Sequence, residues 1–124
     1  MTDKTELERT IEYAIRGAPQ IKADEKRKWL GEFRERVILG LTVEQSHMEE
    51  ALCHVEDALK HEMADIIIVN QDMLIEMMAK YMRLAKDTGK RFKSVATDSE
   101  EAMGLVVASS EAVKIENVER DLYR

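Results

Sequence analysis

The spacing of apolar residues changes period several times along the chain, and each change marks an element. Leu7, Ile11, Ala14 and Ile15 recur at helical spacing behind a Thr5/Glu8 capping-box pattern, and Gly17 with Pro19 ends the run. This predicts a short N-terminal helix. A second short helical stretch, 24–33, carries Trp29, Leu30 and Phe33 as its apolar face. Over 36–41 the apolar residues become consecutive, the pattern of a central strand covered on both faces. Thr42 and Gln45 form a second capping-box pattern and open a helix predicted over 43–63. Its stripe is Met48, Ala51, Leu52, Val55, Leu59 and Met63, while Glu44, Glu49, Glu50, Glu56 and Asp57 take the other face.

A second buried strand is predicted over 65–69. Asn70 to Asp72 stand where a cap for the next helix, 73–88, belongs. Leu74, Met77, Met78, Tyr81, Leu84 and Ala85 form its apolar arc, and Gly89 is its natural stop. Residues 91–97 read as a strand with a basic start. Asp98 and Glu101 cap one helical turn that Gly104 ends, and Leu105–Ser109 is the last strand. The tail, 114–124, is weakly amphipathic.

Strands joined through helices are expected to be parallel, by right-handed crossovers. The short final connection allows an antiparallel return. The predicted fold is a compact α/β (α+β) sandwich with a β-α-β-α-β-β core and a mixed four-stranded sheet, preceded by N-terminal helices. A chain of 124 residues is expected to be one domain: a helical segment 1–33, a core 34–113 and a tail 114–124.

Composition narrows the class. With 44% hydrophobic residues the chain has enough apolar side chains for a core. Cys53 is the single cysteine, so no internal disulfide or thiolate cluster forms. The polar N-terminus is unlike a signal peptide, and the longest apolar runs fall far short of a membrane span. A cytoplasmic setting is the expectation. The net charge of −6 disfavours a generic nucleic-acid binder, yet it is uneven. Residues 43–75 carry eight acids against Lys60 alone, whereas 76–93 carry six cations against Glu76 and Asp87.

Several patterns invite a chemical reading. His47, His54 and His61 lie seven apart, about 10.5 Å of helical rise, too far for two to share an ion. Glu50 with His54, or Asp57 with His61, supplies only two ligands. The expectation is a solvated helix edge with acid–histidine pairs and no metal. Cys53, on the opposite flank, is expected to be a packing or half-exposed thiol. Met77 and Met78 belong to the core arc, with Met73 and Met82 at its borders as an adaptable contact face. Thr42 and Asn70-Gln71-Asp72 lie at strand ends where ligands favour crevices, but without the glycine-rich loop a diphosphate needs.

The basic residues are more informative. Lys26, Arg27, Arg34 and Arg36, with Lys22 and Lys28 in the same cluster, are interleaved with Asp24, Glu25, Glu32 and Glu35, which suits salt-bridge networks or anion capture. Arg34 and Arg36 share a side if the strand begins early, and Arg91 and Lys93 form a second same-side pair. With Arg83, Lys86 and Lys90 they make up the candidate binding surface. No catalytic constellation and no cofactor motif stands out.

The stretch 17–37 reads Gly-Ala-Pro-Gln-Ile-Lys-Ala-Asp-Glu-Lys-Arg-Lys-Trp-Leu-Gly-Glu-Phe-Arg-Glu-Arg-Val. It resembles the signature of the uncharacterised YueI-like family of Firmicute bacteria. That family tends to read Gly-Thr-Pro-Glu-Ile-Lys-Pro-Asp-Glu, then Leu-Gly-Thr-Phe-Arg-Glu-Arg-Val. Ala18, Gln20, Ala23 and Glu32 depart from the pattern. The resemblance implies a β-α-β-α-β-β domain grouped by architecture with the L7Ae/L30e ribosomal proteins and Bacillus-type chorismate mutase. It implies no established activity. The kink-turn motif of L7Ae, Gly-x-Asn-Glu, is not matched by Glu49-Glu50-Ala51-Leu52-Cys53 in the corresponding region. The leading expectation is a small non-enzymatic binding or regulatory module with a protein partner. The alternatives are a domain associated with structured RNA or the ribosome, and an enzyme working at the interface of a homo-oligomer.

Overall fold

In the computed structural model, which describes residues 26–113, 115, 118 and 119, the apolar runs form one mixed sheet. Its strands are β1 (Val37–Leu41), β2 (Ala64–Asn70), β3 (Arg91–Val95) and β4 (Leu105–Ser109), in the order β1-β4-β2-β3. β4 runs antiparallel to both β1 and β2, and β3 runs parallel to β2. β1 and β2 therefore point the same way with the returning strand between them. The mixed four-stranded sheet of the sequence reading is thus present. The predicted helix near the N-terminus and most of the tail lie outside the described residues.

Helices cover one face: α1 (Val43–Ser46), α2 (Glu49–Ala58) and α3 (Ile75–Thr88). Leu39, Leu41, Ile67, Val69, Leu105 and Val107 meet Val55, Met77 and Tyr81 there. Irregular chain covers the other face, where Trp29, Leu30, Met103 and Val118 pack on Val37, Ile66, Ile68, Val106 and Ala108. A register irregularity between Val37 and Leu39 lets Ile38 and Leu39 both join the helical side. Among the described residues no helix is long and apolar enough to cross a membrane.

Several boundaries differ from the sequence reading for physical reasons. β1 is not central. It is an edge strand, yet every residue is buried, because the C-terminal segment closes its open side through the Gly40 N–H to the Val118 carbonyl, 2.8 Å. The strand starts at Val37, after a 3-10 turn over Arg34–Arg36. The predicted helix over 43–63 is two helices. The capping box of Thr42 and Gln45 holds α1, but the chain leaves helical geometry at Met48 and α2 ends at Ala58.

Tertiary bonds account for that break. The buried Tyr81 hydroxyl donates to the Ser46 carbonyl, 2.8 Å, and His47 Nε2 accepts the Leu74 N–H, 2.9 Å. No glycine or proline marks the position, so local pattern runs through it. α3 starts at Ile75, without the side-chain cap expected from Asn70–Asp72, and stops at Gly89 in the left-handed region, φ 76°. In the predicted 24–33 stretch the described residues are 26–33, and of these only 26–28 are helical. β3 ends at Val95 rather than residue 97.

Candidate functional site

β3 is the second edge of the sheet. It pairs with β2, and among the described residues no strand pairs with its other side. Alternation along β3 sends Phe92 toward the helical layer and Val95 toward the Trp29 layer, so Arg91 and Lys93 share the Val95 face. Beyond Val95 the chain continues as Ala96 and Thr97, against the segment that begins at Lys26. Between them lies a cleft of about 210 Å³, lined by Leu30, Val95 and Ala96 with Lys26 and Arg27.

Local packing holds that segment in place. Trp29 and Leu30 are buried, which forces the chain to turn immediately after residues 26–28. Leu30 takes a positive φ of 57°, and the Gly31 N–H closes the turn on the Lys26 carbonyl, 2.7 Å. The Met103 N–H donates to the Lys28 carbonyl, 2.9 Å, tying the segment to the start of β4. Lys26 Nζ lies over the Phe33 ring, 4.6 Å from its centroid, and Lys28 Nζ over Trp29 at 4.7 Å.

The nine candidate cations do not form one surface. Lys26, Arg27, Arg91 and Lys93 gather around β3 and its carboxyl end. Arg91 pairs with Asp65, whose hydrogen bond and charge, with a further attraction from Glu32, hold the guanidinium above its ordinary pKa. Lys90 donates to the Ala64 carbonyl, 2.9 Å, and so serves the turn from α3 into β3. Arg34 and Arg36 lie at the β1 edge. Because they belong to a 3-10 turn, they are not a same-side strand pair. Arg34 packs over Trp29 and donates to the Ile115 carbonyl, 2.8 Å. Arg83 and Lys86 stand on α3, in the opposite layer.

The crevice at the carboxyl ends of β1 and β2 is filled by the protein itself. Asn70 is buried, donating to the Met103 carbonyl, 3.2 Å, and accepting the Asp72 N–H, 2.9 Å. Thr42 is used by its capping box. The Gly104 N–H donates to the Leu41 carbonyl, 2.7 Å, pressing the start of β4 against α1.

The histidine row is not a single helix edge. His47 follows α1, His54 is on α2, and His61 lies beyond α2, where its Nδ1 accepts the Met63 N–H, 3.0 Å. In place of acid–histidine pairs, His47 and His61 bond backbone. His47 was missed by sequence reasoning as the group that fixes the start of α3, and nothing in its local sequence signals a partner 27 residues away. His61 and Asp57 share a groove of about 330 Å³ with Lys60 and Ile115. Among the described residues no three His, Cys, Asp or Glu come together as a metal site. Cys53 is exposed. Met73 is buried, not a border residue, whereas Met82 is exposed.

The chain is 28% identical to the Uncharacterized protein YueI of Bacillus subtilis (strain 168), an alignment spanning 98% of this chain and 92% of that protein. The crystal structure of the YueI protein from Bacillus subtilis superposes with a TM-score of 0.74 and 29% identity, covering 81% of this chain and 79% of that one. The family model described as Protein of unknown function (DUF1694) matches residues 4–119. A match over nearly the whole sequence, together with the shared fold, means that the chain belongs to the DUF1694 family.

Proposed function

We propose that this domain is a non-enzymatic binding module whose open β3 edge takes an acidic, extended segment of a protein partner. The observation that carries this reading is the unpaired side of β3 running into a cleft lined by Lys26 and Arg27. An added strand satisfies main-chain N–H and C=O groups along the edge, and side chains on alternate residues supply specificity. Acidic side chains on the Val95 face meet Lys93 and Arg91, and the segment's end reaches the cleft. Arg91 keeps Asp65 as an internal partner, so Lys93 carries the greater share of recognition along the strand, and Lys26 and Arg27 line the cleft that takes the segment's end. Cys53, exposed and without a second cysteine, suits a reducing compartment such as the cytoplasm.

Structured RNA is the second reading, favoured by the same cations. Single-strand stacking has less support among the described residues, where Tyr81 and Trp29 are buried, Phe92 packs against the helical layer and Phe33 lies under Lys26. Fluorescence anisotropy with a labelled oligoglutamate peptide and a labelled RNA hairpin separates the two. The expected result is a peptide signal that weakens with salt and is lost in the Lys26→Glu, Arg27→Glu, Lys93→Glu triple variant. A signal with the hairpin alone, or none with the peptide at low salt, overturns the proposal.

A further inference from the structure

We propose that α3 pairs antiparallel with α3 of a second copy of this chain. The observation is an apolar strip on its outer face. Ile75 is 80% exposed and Met82 51%; Leu74, the residue ahead of the helix, is 58% exposed and does not join the core-facing arc its spacing predicts. Ile75, Ala79 and Met82 are spaced i, i+4 and i+7, so they form one seam on the side away from Met77, Tyr81 and Ala85.

The face is self-complementary in shape. A groove of about 510 Å³ is lined by Ala79, Met82, Arg83, Lys86 and Asp87. The first four are spaced i, i+3, i+4 and i+7, the four-residue hole that receives a knob from a facing helix. Ile75 is the exposed knob on the same face. With a two-fold axis passing near Ala79, Ile75 of each copy enters the groove of the other.

The charges fit the same register. Glu76 follows Ile75 and Arg83 follows Met82, so both lie on one flank of the seam. In antiparallel pairing that flank meets its own counterpart in reverse, which brings Glu76 of one copy to Arg83 of the other, twice. Neither residue has an ion partner among the described residues. A helix of 14 residues offers about 21 Å of contact, less than a large obligate interface, so association is concentration-dependent. This pairing lies in the helical layer and does not rest on the β3 reading.

The test is sedimentation velocity on the full chain from micromolar to near-millimolar concentration. The wild type is expected to shift from monomer toward dimer. Glu76→Arg and Arg83→Glu, both at exposed positions, each turn the two attractions into repulsions and raise the dimer dissociation constant roughly tenfold or more. An equimolar mixture of the two variants restores association, because every cross-copy pair is again opposite in sign. Circular dichroism confirms that both variants fold. A wild type that stays monomeric at all concentrations overturns the proposal, as it does if this face is covered by another segment of the same chain. A dimer indifferent to the charge swaps, or a mixture that fails to recover, overturns it as well.

Discussion

Gly104→Ala is expected to destabilise the domain far more than its single methyl implies. Gly104 begins the return into β4 and lies against the start of α1. A Cβ there falls 2.7 Å from Val43 N and 2.8 Å from the Thr42 carbonyl oxygen, and nearer still to Val43 Cα. All three are backbone atoms, so no rotamer change relieves the overlap. Comfortable carbon contacts begin near about 3.5 Å, so one segment must retreat by roughly 1 Å. The retreat stretches the Gly104 N–H bond to Leu41, 2.7 Å, and the Asn70 N–H bond to the Gly104 carbonyl, 2.9 Å. Overpacking strain is about 1–3 kcal/mol and each weakened hydrogen bond about 1 kcal/mol. The sum, about 3–5 kcal/mol, is a large part of the roughly 5–15 kcal/mol typical of a domain. Urea denaturation followed by Trp29 fluorescence and far-ultraviolet circular dichroism measures it. Gly89→Ala is the control, since nothing lies within 4 Å of its Cβ but φ is 76°, for a cost of about 1 kcal/mol. If Gly104→Ala costs no more than Gly89→Ala, the close-packed backbone contact is not what fixes this corner.

Tyr81→Phe removes the hydroxyl that donates to Ser46 and is expected to cost about 1 kcal/mol by urea denaturation. Burial pushes the Tyr81 phenol above its ordinary range, so the native state keeps a proton that the unfolded state has lost. Stability is intact below the unfolded value near 10 and falls as pH rises beyond it; Tyr81→Phe flattens that fall in denaturation curves taken across alkaline pH. Thr42→Ala removes the hydroxyl half of the capping box, with the Gln45 N–H losing its 3.1 Å acceptor while the backbone N–H of position 42 still donates to the Gln45 side chain, and lowers stability by about 1 kcal/mol in the same assay. Cys53→Ser, at an exposed position, leaves the melting temperature unchanged within about 2 °C.

Elements whose identity depends on their own side chains were legible. The consecutive apolar runs of β2 and β4 have no other way to be buried, and Gly89 stops α3 where a left-handed residue is required. The break at Met48 was not legible, because its causes are Tyr81 and Leu74, distant in sequence. β1 carries the apolar run of a central strand for a reason the pattern does not contain: the C-terminal segment closes its edge. Arg34 and Arg36 illustrate the same limit at the candidate site. Their two-residue spacing gives a shared side only in extended chain, and the 3-10 turn removes it.

The basic stretch 76–93 shows why a charge sum along a sequence is not a surface. It contains a helix, a turn and a parallel strand, and a crossover helix must lie on one face of the sheet it serves. Lys80, Arg83 and Lys86 therefore go to the outer side of the helical layer. Arg91 and Lys93, on alternate strand positions, go to the opposite face. Lys90, at the junction, is turned inward onto the Ala64 carbonyl. What supplements the strand cations is the segment beginning at Lys26, more than 60 positions earlier, pinned beside Val95 by the burial of Trp29 and Leu30. The linear cluster is thus divided, and each half gains a distinct neighbour: an exposed apolar seam beside Arg83, and an open strand edge beside Lys93. Charge reversal at Arg83 is accordingly expected to act on self-association alone, and charge reversal at Lys93 on acidic-peptide binding alone. If either substitution moves both measurements, the two faces are not independent and the division of the cluster fails.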